Sequence, residues 1–360
     1  MRVIGCGWSW MRGLLDFEAL LCFLVYALAN GCGSGDVPDT VARGRVVVYT
    51  SVDRLFSEPV LQEAEKRLGM RVVGVYDTEE TKSTGLANRL IARKDNPDGD
   101  VFWSGDPARA ALLKAKGVTV AYDSPAAAAI PDAFKDAERH WVGFSARARV
   151  LLVNTALVAQ GDEPKTVFDL TDAKWKGRVA MANPLFGTTS FHVAALFEAL
   201  GEQRAAQWLR DLRDNGVVIV SSNGESKRQV AEGQMAMGLA DSDDAAEAIS
   251  HGQPVRAVLL DQTTSSGEPL GNLIIPNTLS LIRGGPNPEG ARRVFDFLLS
   301  ADAQKMLAES CAQAPLLPGV PTPERVVRLD NVKSMKVDYA AVAARLDRIM
   351  PLLKDWVDGK

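Results

Sequence analysis

The sequence is poor in histidine and cysteine, two residues from which metal and thiol sites are often built. Its three histidines, at positions 140, 192 and 251, lie far apart and show no metal-ligand spacing. It has no Cys-x-x-Cys pair, no Gly-x-Ser-x-Gly elbow and no loop ending in Gly-Lys-Ser/Thr. These absences argue against a redox thiol site, an α/β-hydrolase nucleophile and a nucleoside triphosphate site, and we expect no resident cofactor.

Long runs of one charge sign are also absent. Lys and Arg total 41 against 45 Asp and Glu, which leaves a net charge of −4. This balance predicts no nucleic-acid partner. The 360 residues, of which 46% are apolar, suffice for two lobes with sizeable cores.

The N-terminus differs in composition from the rest of the chain. An uninterrupted apolar run, Ala19–Ala29, is too short to span a bilayer but has the length of a signal-peptide core. A small-residue run then ends at Cys32, which resembles a lipoprotein processing site. We expect residues 1–32 to be a leader, residues 33–44 a linker, and the mature protein to be periplasmic, with or without a lipid anchor at Cys32. The alternative is a disordered leader with an apolar core.

From Arg45 onwards, β-branched runs and capped helical patterns alternate, which indicates an α/β fold. The long uncapped run Trp141–Thr155 interrupts this alternation, which then restarts and ends at a second extended run, NLIIPNTLSLIRGG. The sequence therefore predicts two α/β lobes joined by two extended crossover strands. We expect the first lobe to span residues 45–143 and 272–320, the second residues 144–271, and a C-terminal helical tail residues 321–360.

Polar segments follow the predicted strands of both lobes. In open parallel sheets, ligands bind beyond the carboxyl ends of the strands, so these segments predict a cleft lined from both sides. The segments are Tyr49–Asp53, Phe102–Pro107, Asn183–Ser190, Ser221–Ser226 and Ala240–Asp244. Their polar ligand candidates are Ser51, Asp53, Ser104, Ser222, Asp241, Ser242 and Asp243. Tyr49 and Trp103 are candidates for stacking on a cation or an apolar stem, with packing in the cleft wall as the alternative.

Two motifs predict an anion site. In NPLFGTTS, Gly187, Thr188 and Thr189 stand where a helix should begin, so its free N–H groups and the hydroxyls suit a phosphate-like or carboxylate anion. Ordinary helix capping is the alternative. In FSARARV, Arg147 and Arg149 alternate on an extended segment and project to the same side, as a fork for an anionic group requires. The alternative is a crossover strand with one solvent-exposed face.

Several long segments resemble one family, in order from about Arg45 to Val320. They are RVVVYTSVD, LANRLIARKDNPDGDVFWSGDP, WVGFSARARVLLVNT, DLTDAKWKGRVAMANPLFGTTS and GNLIIPNTLSLIRGGPNPEGARRVFDFLLS. The chain resembles the ferric-ion-binding family of ABC-transporter solute-binding proteins. This resemblance implies an α/β, two-lobed periplasmic-binding-protein fold of class II type, with two parallel or mixed sheets. It also implies a monomer that is not an enzyme and that delivers a small ligand to an ABC permease.

The sequence departs from that family at its metal ligands. Ferric binders usually place two adjacent tyrosines after the strand that corresponds to MAMGLA, where this chain has Asp241-Ser242-Asp243-Asp244. They often carry a histidine in the first loop, where this chain has Asp53. Relatives without the tyrosines include binders of 2-aminoethylphosphonate and of sugar phosphates. The resemblance therefore favours an aminoalkylphosphonate or another organophosphorus solute, with its amine on Asp241, Asp243 or Asp53 and its head group on the anion site.

Three alternatives stay open. Aspartates at a helix start also cap it and complement its dipole, which would explain one or two of them. Carboxylates are acceptable iron ligands, so Asp241, Asp243 and Asp53 are a second hypothesis for ferric iron. A secreted hydrolase of phosphate esters would use Ser104, Ser190 or Ser222, although no histidine stands beside these serines by sequence pattern.

Overall fold

The computed structural model describes residues 44–76, 84–263 and 269–359. The predicted leader with Cys32, and all of the linker except Gly44, lie outside these ranges. Within them, none of the helices combines the length and the apolar composition that a membrane span needs.

Strands and helices alternate along most of the described chain, as the sequence pattern predicts. The strands are β1 (Arg45–Thr50), β2 (Arg71–Tyr76), β3 (Val101–Ser104), β4 (Thr119–Val120), β5 (Val142–Asn154), β6 (Val179–Ala182), β7 (Val218–Val220), β8 (Met237–Asp241), β9 (Val255–Val258), β10 (Ile274–Ile282) and β11 (Ala314–Pro315). The α-helices are α1 (Arg54–Leu68), α2 (Thr84–Ala92), α3 (Pro107–Ala115), α4 (Gly187–Leu200), α5 (Glu202–Asp214), α6 (Asn223–Ala231), α7 (Ser242–Ser250), α8 (Pro288–Leu298), α9 (Ala301–Cys311) and α10 (Tyr339–Val357).

The first sheet has the strand order β2-β1-β3-β10-β5, with β4 beside β10 and β11 beside β5. β1 is parallel to β2 and β3, whereas β10 is antiparallel to β3 and β5. Val46 and Val48 of β1 pack in one core with α1 and α8, and Val47 packs in another with α2. Because both faces of β1 are covered, its sequence is a continuous apolar run.

The second sheet has the strand order β5-β8-β6-β7, with β9 also beside β5. β6 is parallel to β7 and β8, and β8 is antiparallel to β5. Strands β4, β9 and β11 were not expected from the sequence; two of them have only two residues, too few for a periodic signal.

β5 belongs to both sheets and is the first predicted crossover. Its residues up to Ala148 pair with β10, and from Arg149 onwards they pair with β8. The change of partner therefore falls between Ala148 and Arg149, within this 13-residue strand. The second predicted crossover contains β10 of the first sheet, which follows β9 after the connecting residues 259–273.

In the C-terminal segment, α10 packs against both α3 and α4. At its start, the ring of Tyr339 contacts Phe134 and Trp141, which precede β5, and Phe191 of α4. The Tyr339 hydroxyl donates to the carbonyl of Ile274 at 2.7 Å, where β10 begins. The helix therefore packs on elements attached to both sheets.

Candidate functional site

Arg147 and Arg149 of β5 both bind Asp241 at the end of β8. Arg147 Nε lies 3.1 Å from Asp241 Oδ2, and Arg149 Nη1 lies 2.6 Å from Asp241 Oδ1. The register of the sheet explains the second contact, because Arg149 and Asp241 are directly opposite each other in the antiparallel pair. The expectation that both arginines project to the same side is confirmed.

The two arginines are buried, as is every residue of β5. Arg149 is only 2% exposed and Asp241 only 4%. The alternative of a crossover strand with one solvent-exposed face is therefore wrong. An unpaired buried charge is strongly destabilising, so the folded state requires these ion pairs.

The start of α4 and a side chain from α6 complete this polar cluster. Thr188 Oγ1 donates to Asp241 Oδ2 at 2.9 Å and accepts from Asn223 Nδ2 at 2.8 Å. Arg149 also donates to Thr188 Oγ1 at 3.2 Å and to Thr189 Oγ1 at 3.3 Å. The sequence singled out both threonines but not Asn223, because a lone asparagine at a helix start has the ordinary signature of a cap.

Hydrogen bonds of Arg147 connect residues of the first sheet to the same cluster. Its Nη1 donates to the carbonyl of Gly105 at 2.7 Å, and the backbone N–H of Gly105 donates to Ser51 Oγ at 2.9 Å. The same nitrogen lies 3.3 Å from Asn277 Oδ1 of β10. One hydrogen-bonded set therefore joins all five of the polar segments that follow strands, drawn from both sheets.

The three aspartates of the DSDD segment differ in their electrostatics. Burial opposes ionisation of Asp241, but Arg149 and Arg147 outweigh it and hold the pKa of Asp241 below its usual range. Burial and the adjacent Asp244 raise the pKa of Asp243 to about 7, and burial and Asp241 raise the pKa of Asp244 to about 6. These differences in pKa come from neighbours that the fold brings together, so the three aspartates could not be distinguished from the sequence.

Asp241, Asp243 and Asp244 also bring one carboxylate oxygen each within 4.8 Å of one another, a spacing that suits a metal ion. However, Asp241 already accepts hydrogen bonds at both of its oxygens from Arg147, Arg149, Thr188 and Asn223. Asp244 accepts from the backbone N–H of Asp241 at 3.4 Å and lies 3.8 Å from Lys227. The adjacent cations and the engaged oxygens disfavour a metal at this position.

Comparison of the sequence with known proteins identifies the family of the chain. The sequence model of the family described as bacterial extracellular solute-binding protein matches residues 62–333. The chain belongs to this family. Iron uptake protein A1 of Synechocystis sp. is 26% identical over 260 residues, which cover 71% of this solute-binding protein and 72% of that one.

Solved structures confirm the two-lobed periplasmic-binding-protein fold. Iron-bound HitA from Pseudomonas aeruginosa matches with a TM-score of 0.77 and 19% identity over 86% of this chain and 99% of its own. AfuA from Actinobacillus pleuropneumoniae, with fructose-6-phosphate bound, matches with a TM-score of 0.73 and 23% identity over 88% and 98%. At these identities the likeness concerns the fold.

Two aromatic residues that were candidates for ligand contacts in this solute-binding protein lie in the hydrophobic core. Tyr49 and Trp103 are fully buried in the core, and Tyr49 donates its hydroxyl to Asp98 at 2.7 Å. Neither ring is exposed for stacking on a ligand, and the alternative of wall packing describes them better. The reason is that helices cover both faces of the first sheet, including the strand ends where these rings stand.

The remaining predicted contacts have mainly local roles. Ser104 and Ser222 accept hydrogen bonds from nearby backbone N–H groups, of Asp106 and Glu225 respectively. Ser242 accepts from the backbone N–H of Ala148 on β5 at 3.1 Å. Asp53 is exposed at the start of α1, and Gly187 is exposed with φ +59°, a left-handed conformation that favours glycine.

The serine hypothesis for a hydrolase finds no supporting geometry. Ser190 donates to the carbonyl of Gly187 at 2.8 Å. In the part of the chain that the structure describes, neither Ser104, Ser190 nor Ser222 is hydrogen-bonded to a histidine. Burial and the Arg149 charge lower the pKa of His192 to about 3, so it is a neutral core residue at ordinary pH.

Proposed function

We propose that this solute-binding protein captures a small organophosphorus anion, preferably an aminoalkylphosphonate, and delivers it to an ABC importer in the periplasm. The observation that carries the proposal is that two buried guanidinium groups share one ionised carboxylate, Asp241. Within these three groups two positive charges face one negative charge, and an anionic head group would neutralise the difference.

The donors around the arginines match a tetrahedral anion. Thr188, Thr189 and Asn223 carry side-chain donors beside Arg149, and α4 begins at the same place with free backbone N–H groups. Arg149 Nε is buried and has no hydrogen-bond partner among the described residues. A phosphonate or phosphate oxygen would supply an acceptor for such a donor. That AfuA has bound fructose-6-phosphate supports this ligand class.

A cationic group on the ligand would suit Asp243 better than Asp241. Asp241 is neutralised by the protein itself, whereas Asp243 forms no ion pair within 4.0 Å in the described ranges. Its pKa of about 7, raised by burial and Asp244, shows a carboxylate whose charge is poorly compensated. A ligand ammonium would supply the missing cation, which is why a zwitterionic aminoalkylphosphonate is preferred over a simple phosphate.

Ferric iron is the second candidate, because Asp241, Asp243 and Asp244 cluster and because iron uptake protein A1 and iron-bound HitA are among the similar proteins. The engaged oxygens of Asp241 and the two arginines beside it weigh against this candidate. Export through the leader, with or without a lipid anchor at Cys32, and a monomeric state are also part of the proposal.

Thermal-shift and calorimetric titrations with 2-aminoethylphosphonate, fructose-6-phosphate and ferric citrate test the assignment, since a ligand that binds the folded state raises its melting temperature. We expect the two organophosphorus compounds to bind, the aminated one more tightly, and the isolated protein to contain no stoichiometric iron. Stoichiometric iron, together with binding of ferric citrate alone, would contradict the proposal and establish the second candidate.

A further inference from the structure

A relay of two amide side chains connects Arg147 to Asp243 behind the polar cluster. Asn277 Oδ1 lies 3.3 Å from Arg147 Nη1, and Asn277 Nδ2 donates to Gln313 Oε1 at 3.1 Å. Gln313 Nε2 then donates to Asp243 Oδ2 at 2.5 Å. Both amides are buried, with Asn277 at 2% and Gln313 at 6% exposure. The relay therefore runs without a break between a buried cation and an acidic group.

The chemistry at its two ends dictates the orientation of both amides. A guanidinium has only donors, so Arg147 requires the side-chain oxygen of Asn277 as its acceptor. The NH₂ group of Asn277 then points toward Gln313 and Ser145. Gln313 must then accept with its oxygen, which leaves its NH₂ group for the carboxylate of Asp243. Reversing either amide would place a donor against Arg147 or an oxygen against Asp243. The relay is therefore directional, and each member orients the next.

The relay crosses from one sheet to the other. Asn277 lies on β10 and Gln313 directly precedes β11, both of the first sheet. Asp243 lies in the first turn of α7, which follows β8 of the second sheet. Its last bond, between Gln313 and Asp243, therefore joins the two halves of the protein.

We propose that Asn277 and Gln313 are positioning residues that hold the two lobes in register, with Arg147 and Asp243 placed for the two ends of the ligand. The ligand part of this inference rests on the proposed function, whereas the contact between the lobes does not. Loss of the Gln313–Asp243 bond should loosen the ligand-free protein and also weaken binding of a phosphonate.

A pair of substitutions tests the Gln313–Asp243 bond at about pH 8, where Asp243 is ionised: the first introduces a second carboxylate and the second removes the original one. Gln313→Glu sets two carboxylates against each other and should lower the melting temperature of the ligand-free mature protein. Adding Asp243→Asn restores a hydrogen bond with the donor on the other side and should recover most of the loss. Gln207→Glu, an exposed glutamine beside Asp211, is the matched control and should change little. Absence of rescue, or an equal loss in the control, would overturn the inference.

A double-mutant cycle without added charge tests the same bond if Gln313→Glu does not fold. Gln313→Met and Asp243→Ala remove the bond without adding charge, and their effects on unfolding should be clearly less than additive; additive effects would overturn the inference. Binding of methylphosphonate, which lacks the amine, should weaken roughly tenfold in Gln313→Met. If wild-type protein binds no phosphonate while the ligand-free cycles show coupling, the proposed function fails and the contact between the lobes stands.

Discussion

Arg149 and Asp241 face each other across the β5–β8 pair, and their side chains lie 2.6 Å apart with almost no exposure to solvent. The pair stands where β5 leaves the first sheet for the second. Arg147 binds the same carboxylate, so Asp241 forms ion pairs with two guanidinium groups. We therefore expect this carboxylate to affect both the stability of the ligand-free protein and the proposed binding of an anion.

Replacing Asp241 by Asn should separate these two effects. The substitution leaves two buried arginines without an ionised partner and should lower the free energy of unfolding by roughly 3 kcal/mol. Addition of 2-aminoethylphosphonate should restore more stability to the variant than to wild type, as chemical denaturation with and without ligand would show. Asp302→Asn, which removes one of the two carboxylate partners of the exposed Arg67, is the control and should cost about 0–1 kcal/mol. A variant that keeps its stability but loses only aminated ligands would show instead that Asp241 binds the amine.

Thr189→Val should weaken phosphonate binding while keeping the shape of the α4 start. Its hydroxyl contacts Arg149 Nη2 at 3.3 Å and belongs to the proposed head-group site. Loss of one hydrogen bond to a charged group corresponds to roughly 1–3 kcal/mol of binding free energy by calorimetry. The exposed Thr155→Val serves as the control. Affinity for fructose-6-phosphate and 2-aminoethylphosphonate unchanged in Thr189→Val would remove this residue from the site.

Asp261→Asn should stabilise the protein in a pH-dependent way. Burial raises the pKa of Asp261 from 3.8 to about 7, with Asp169 adding to this effect and the N–H of Val167 opposing it. Between these values the folded protein holds a proton that the unfolded chain has released, so the free energy of unfolding falls as the pH rises. Asn removes that loss and also suits the φ of +60° at this position.

We expect a gain of roughly 2–4 kcal/mol at about pH 8 and almost none at about pH 4, measured by urea denaturation. The exposed Asp162→Asn is the matched control and should show no such difference. An equal gain for Asp261→Asn at both pH values would trace the effect to the backbone conformation and not to the buried charge.

Tyr339→Phe tests the attachment of α10. The change keeps the ring contacts with Phe134, Trp141 and Phe191 but leaves the Ile274 carbonyl without the 2.7 Å hydrogen bond. We expect a loss of about 1–2 kcal/mol in the free energy of unfolding. Tyr76→Phe, at the end of an edge strand, should cost less; equal losses in the two variants would contradict a special role for the Tyr339 hydroxyl.

Local patterns in the sequence predicted most of the elements correctly. The run RVVVYT forms β1, the Asp106-Pro107 start begins α3, and the long uncapped run forms β5. These patterns succeed because strand, cap and turn preferences depend on neighbouring residues. The same reasoning placed Arg147 and Arg149 on one side of a strand and Thr188 and Thr189 at a helix start.

The sequence alone determined the α/β lobes, the crossover through β5 and the polar strand ends that meet between the sheets. Only the tertiary structure decided that Asp241 neutralises the arginines, that Asn223, Asn277 and Gln313 join the site, and that Tyr49 and Trp103 are buried. Arg149 and Asp241 are 92 residues apart, and Gln313 and Asp243 are 70 residues apart. Strand register and sheet packing bring such groups together, and a charge or an amide acquires its role from the partners that it then meets.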